Sequence, residues 1–143
     1  MSQLTDVGKF RKTLDDMISQ VKTWLTRQQL IAIEKFEYKL NAGMKIDPRG
    51  SINLFVESII DYADQIMADN DQFFLDTDFE IESEFVELRS QMRSWWPDID
   101  DEKKDFIRKR IKLLVMLGAI CTKSEPLRVI INRFRDVDNP LVY

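Results

Sequence analysis

The sequence predicts an all-α fold: one domain, a bundle of five or six helices over residues 1–135, followed by an extended C-terminal tail over 136–143. Only four glycines and four prolines interrupt 143 residues. Apolar side chains recur three and four positions apart rather than two, the period of helices with one buried face. A balance of 44% apolar and 32% charged residues belongs to a chain with its own core. At this length folding buries about two-thirds of the unfolded chain's surface, so neither disulfides nor a metal is required to hold the domain. The single cysteine could not staple it in any case.

From Val7 the series Phe10, Leu14, Met17, Ile18, Val21, Trp24 and Leu25 keeps one face of the first helix apolar. Thr26 and Gln29 have capping-box spacing and Leu25 and Leu30 that of a hydrophobic staple, which predicts a break near Thr26. One long helix would satisfy the same periodicity. The second run, Leu30, Ile33, Phe36 and Leu40, is expected to stop at Asn41-Ala42-Gly43, where glycine can turn left-handed. Asp47-Pro48-Arg49-Gly50 reads as a turn. Ser51 is then the expected cap of a third helix with core positions Ile52, Phe55, Val56, Ile59, Ile60, Ala63, Ile66 and Met67.

Residues 69–78 are polar and turn-prone, with Gln72-Phe73-Phe74-Leu75 as one anchoring turn. Ile81, Phe85, Leu88, Met92 and Trp95 announce the next helix, which Pro97 stops by disfavouring helical geometry at Trp96. Asp100 is the expected cap of the fifth helix, whose first-turn Asp101 and Glu102 and later Lys109, Arg110 and Lys112 suit the helix dipole. Its second half, 113–120, is apolar around most of its circumference, which predicts the most buried element, with Leu113, Leu114 and Leu117 in the packed centre. Ser124, with Pro126 in the first turn, opens a last helix through Leu127, Ile130, Ile131 and Phe134. No repeat, low-complexity tract or linker divides the chain.

Charge is uneven. Residues 50–88 hold eleven Asp or Glu and no Lys or Arg, while residues 103–135 hold ten Lys or Arg against Asp105 and Glu125. Either these are faces of neighbouring helices attracting each other within one bundle, or a pole meets a partner. Lys104, Arg108 and Lys112 lie four apart and so form one helical stripe, which Arg128 and Arg135 could extend from the last helix toward phosphates. Against nucleic acid stand a pI near 4.9, the lack of a reader motif, and Phe106 and Phe134 at core-like positions.

Chemistry is narrowly bounded. Without histidine the commonest general base, the Ser/His and Cys/His pairs and the usual zinc and haem ligands are missing. Asp76, Asp78, Glu80 and Glu87 imitate a calcium loop, but Ile81 stands where its glycine must be, so no metal is expected. The glycines are too scattered for a phosphate cradle, and Cys121 reads as a small buried thiol with nothing to activate it. Trp24, Trp95 and Trp96 read as core rather than cofactor stackers. The expectation is a non-enzyme with no cofactor. The longest apolar run, 113–121, has nine residues where about 20 span a bilayer, so neither membrane insertion nor classical secretion is expected.

Residues 54–120 carry Ile59-Ile60, Ala63-Asp64-Gln65-Ile66-Met67, Asp69-Asn70-Asp71 before Phe73-Phe74-Leu75, then Trp96-Pro97, Lys103-Lys104, Ile107 and Leu113-Leu114. In this pattern about half the chain resembles small helical proteins encoded by large double-stranded DNA viruses. The resemblance implies a viral protein made in an infected cell and transfers no activity. The expected function is a non-enzymatic interaction or assembly component, intracellular or in a virion, with a protein partner or further copies of itself. The alternative is an accessory nucleic-acid-binding protein using the basic stripe.

The tail supplies a further candidate contact. Leu141, Val142 and Tyr143 form an apolar tip beyond Asn139-Pro140, where proline keeps the approach extended and no helix buries them locally. They either fold back on their own bundle or dock on a neighbour. Docking predicts that deletion of residues 139–143 shifts sedimentation toward monomer without lowering the melting temperature. A destabilised protein that was monomeric throughout would assign the tail to its own core.

Overall fold

A computed structural model describes residues 5–70 and 93–135, the side chains of Ala32 and Arg135 excepted. Every regular element among them is helical. The tail 136–143 with its tip Leu141, Val142 and Tyr143, the anchoring turn 72–75, and the helix announced by Ile81 up to Met92 lie outside the described residues.

Helix α1 (Asp6–Lys22) starts where Thr5 Oγ1 accepts the Gly8 N–H at 3.0 Å, and it buries Phe10, Leu14, Met17, Ile18 and Val21. It ends before α2 (Arg27–Ile46), so the two are separate helices. The break is made by the capping box: Gln29 N–H donates to Thr26 Oγ1 at 3.3 Å, and Thr26 N–H to Gln29 Oε1 at 3.0 Å. Lys22 Nζ donates to Glu37 Oε1 at 2.8 Å and ties the end of α1 to the middle of α2.

Two expected boundaries are corrected here. Helix α2 does not stop at Gly43; it runs on to Ile46, and Gly43 is helical with no positive φ. One more turn puts Met44 in the core below Ile33, Phe36 and Leu40, and burying that side chain outweighs the cost of about 1 kcal/mol for a helical glycine. The stop is Asp47-Pro48. The second correction follows, because α3 (Pro48–Ile59) is capped by Asp47 rather than Ser51: Asp47 Oδ1 accepts the Gly50 N–H at 3.0 Å and Pro48 takes the first helical position.

The single helix expected over 52–67 keeps its buried face but tightens to a 3₁₀ turn at Ile60–Tyr62 before α4 (Ala63–Met67). Helix α3 packs on α2 and the long helix described next, whereas α4 packs on the last helix, and the turn makes that change of neighbour. Ile60, expected in the core, is left half-buried.

Trp95 and Trp96 are buried, and Trp96–Asp98 form a 3₁₀ turn around Pro97. Asp100 Oδ1 then accepts the Lys103 N–H at 2.9 Å and opens α5 (Asp101–Thr122). Helix α5 buries Ile107, Ile111 and every residue from Leu114 to Ala119 while packing on α1, α3 and α4. Gly118 allows the close crossing with α3, since a Cβ there would stand 3.1 Å from Val56 Cγ2. Lys123 turns left-handed at φ 55 and ends the helix. Ser124 Oγ accepts the Leu127 N–H at 3.4 Å at the head of α6 (Glu125–Arg135), which buries Leu127 and Ile131 against α4 and α5.

Leu113 is a third correction: it is half-buried, while Leu114 and Leu117 are in the packed centre, because α5 turns Leu113 toward its boundary with solvent. Leu114→Ala is therefore expected to cost about 2–5 kcal/mol in urea unfolding and Leu113→Ala clearly less. Equal losses would contradict the helix orientation.

Candidate functional site

The row Lys104, Arg108 and Lys112 shares one side of α5, as its spacing demands. The fold places aromatic rings and carboxylates against it. Lys104 Nζ and Arg108 Cζ each lie 5.7 Å from the centroid of a Trp96 ring, so the buried indole is covered by two cations. Arg108 Nη1 is 2.8 Å from Asp105 Oδ1, and Lys112 Nζ is 2.8 Å from Asp69 Oδ1. Only 21% and 20% of these two side chains is exposed. The same half of α5 sets Lys103 over Trp24 and Arg110 over Phe106, and Trp24 meets Phe106 edge to face. Lys103, Lys104, Arg108 and Lys112 fasten other segments of the chain to α5, while Arg110 meets a ring of α5 itself.

Arg128 is not continuous with that row. It sits on α6 beside Ala119, Ile120 and Lys123, about 22 Å along α5 from Lys104 at 1.5 Å per residue, and pairs with Glu125 at 3.5 Å. What it joins is a cleft of about 300 Å³ walled by Met116, Ala119, Ile120 and Ile131, with Lys123 and Arg128 beside it. The Lys112–Asp69 pair joins the basic and acidic segments within one chain at one point.

The Cys121 thiol is half-buried and its pKa is pushed up by burial first, then by the Asp6 carboxylate, with the Arg49 guanidinium opposing. Less of the reactive thiolate forms at neutral pH as a result. Among the described residues no group of three His, Cys, Asp or Glu side chains could hold a metal ion, and no helix is long and apolar enough to cross a membrane.

One surface was missed in the sequence. Helix α2 buries Ile33, Phe36, Leu40 and Met44 on one side and presents Ile31, Tyr38 and Ile46 to water on the other, at 63%, 77% and 85% exposure. The signal was there, since Ile31 and Tyr38 are seven residues apart and out of phase with the core row. Ala42, Lys35 and Lys45 share that exposed side.

No protein-family model matches the chain, and comparisons with curated proteins and with solved structures find no match.

The partners of Lys112 generate a prediction. Lys112→Glu sets a carboxylate against Asp69 and is expected to cost about 1 kcal/mol, roughly 3 °C in melting temperature. Adding Asp69→Lys should recover most of it. A single variant that melts like the wild type would show the contact to be without weight.

Proposed function

We propose that the protein is a non-enzymatic interaction or assembly component, and that the outward side of α2 is a principal contact surface. The observation that carries this is the exposure of three large apolar side chains, Ile31, Tyr38 and Ile46, on a helix whose opposite side is locked into the core. Scattered apolar residues on a surface are ordinary, but a row along one rigid helix is a preformed face on which each contact loses little further freedom. Lys35 and Lys45 beside it give the polar margin that surrounds the apolar centre of a protein interface. The apolar tip Leu141, Val142 and Tyr143 is proposed as a further anchor, and the cleft beside Arg128 as a place able to receive an apolar side chain.

The nucleic-acid alternative draws on Lys104, Arg108 and Lys112, and two of these already pair with carboxylates while two cover Trp96. A cation so engaged releases fewer counterions on meeting a phosphate than a free one. The interaction reading is therefore preferred. The viral resemblance is compatible with it and adds no partner.

The test is capture from the native source on the wild-type chain and on an Ile31→Ser, Tyr38→Ser variant, both washed at about 1 M salt, where exposed charge contacts are screened within about 3 Å. A protein retained by the wild type and lost from the variant is expected. Nucleic acid alone, held in a parallel wash at low salt and released steeply on the way to about 1 M, would overturn the reading in favour of the alternative.

A further inference from the structure

Helix α2 turns 3.6 residues per turn, which sets Ile31, Tyr38 and Ala42 within about 40° of arc, with Lys35 and Ile46 on one flank and Glu34 and Lys45 on the other. Glu34 and Lys45 are exposed, and the pKa of Lys22 at the end of α1 is raised first by its hydrogen bond to Glu37, with the Glu34 carboxylate among the smaller causes that raise it. The order of these side chains is nearly symmetric about Tyr38: an isoleucine and a glutamate toward one end, a lysine and an isoleucine toward the other. From this we infer that the face receives a second copy of the same chain, α2 against α2, antiparallel about a two-fold axis near Tyr38. The inference rests on the reading of the protein as an interaction component and names the partner and its geometry.

A two-fold axis perpendicular to two antiparallel helices keeps each flank on its own side and reverses the order along the axis. Ile31 then stands level with Ile46 of the second copy, and Lys35 with its Ala42. Glu34 lies within a turn of the second copy's Lys45, and symmetry makes each of these contacts twice. A parallel pair about an axis along the helices would instead exchange the flanks, setting Lys35 near Glu34 and Lys45 near Ile46 of the second copy, so that Glu34 and Lys45 would not meet. The antiparallel order is the one that brings Glu34 to Lys45 and Ile31 to Ile46. From Ile31 to Ile46 the face runs about 22 Å along a single helix, a narrow strip beside the roughly 20–30 residues a side and roughly 800 Å² per partner of a standard stable complex. The pairing is accordingly reversible and depends on concentration, unless a second contact such as the tail adds to it.

The experiment is sedimentation velocity on the full chain over a wide concentration range, with four variants. Tyr38→Glu should abolish the dimer while leaving the circular dichroism and melting temperature unchanged, because Tyr38 lies outside the core. Glu34→Lys and Lys45→Glu should each weaken dimerisation roughly three- to tenfold, since each breaks two symmetric pairs. The doubly reversed chain, Glu34→Lys with Lys45→Glu, should recover wild-type affinity. A wild type that stays monomeric at every concentration overturns the inference, as does a dimer indifferent to Tyr38→Glu. Failure of recovery in the double reversal overturns the antiparallel register. A dimer indifferent to Tyr38→Glu but dissolved by deletion of residues 139–143 would leave the interaction reading standing on a different surface, so the two failures are told apart.

Discussion

Burial of α5 is the constraint on which the remaining structure depends. Its second half, apolar around most of its circumference, cannot present any side to water without loss, and four other helices pack on α5. Its depth also dictates where chemistry is sparse. The unbroken buried stretch from Leu114 to Ala119 leaves the polar side chains to the first half of the helix, Lys104, Arg108 and Lys112 among them, and to its end, where Lys123 turns the chain. Gly118 is small because α3 passes there, and the cleft beside Arg128 lies between α5 and α6.

The elements that local chemistry determines were legible in the sequence. Thr26 with Gln29, Asp100, and Ser124 with Pro126 each act within three residues, and each performs the expected capping. Errors arose where a distant contact outranked a local preference. Gly43 has the propensity to end a helix, but Met44 has a place in the core, and nothing near Gly43 announces that place. Ser51 is an able cap, yet Asp47 stands before a proline and holds the Gly50 amide first. The tightening at Ile60–Tyr62 answers to α6, whose position no spacing within α3 reveals.

Function was less legible for the same reason. The spacing of Lys104, Arg108 and Lys112 correctly put them on one side of a helix, while their partners, Trp96 and Asp69, come from other segments. A stripe that reads as free charge in one dimension is thereby an internal fastening in three. The outward side of α2 shows the converse case. Ile31 and Tyr38 were visible as a row, but a row of apolar residues counts as core until a structure shows which side of the helix the core has taken.

The late position of α5 has a consequence for synthesis. Phe10 and Leu14 on α1 belong to the same core as Ile107 and Ile111, about a hundred residues further on. At ribosomal rates of about 5–20 residues per second, the early helices emerge roughly 5–20 s before the element that covers them. During that interval their apolar faces are open to chaperones and to other nascent chains. Helix α2, which keeps apolar residues exposed even in the finished fold, extends that exposure into the mature molecule.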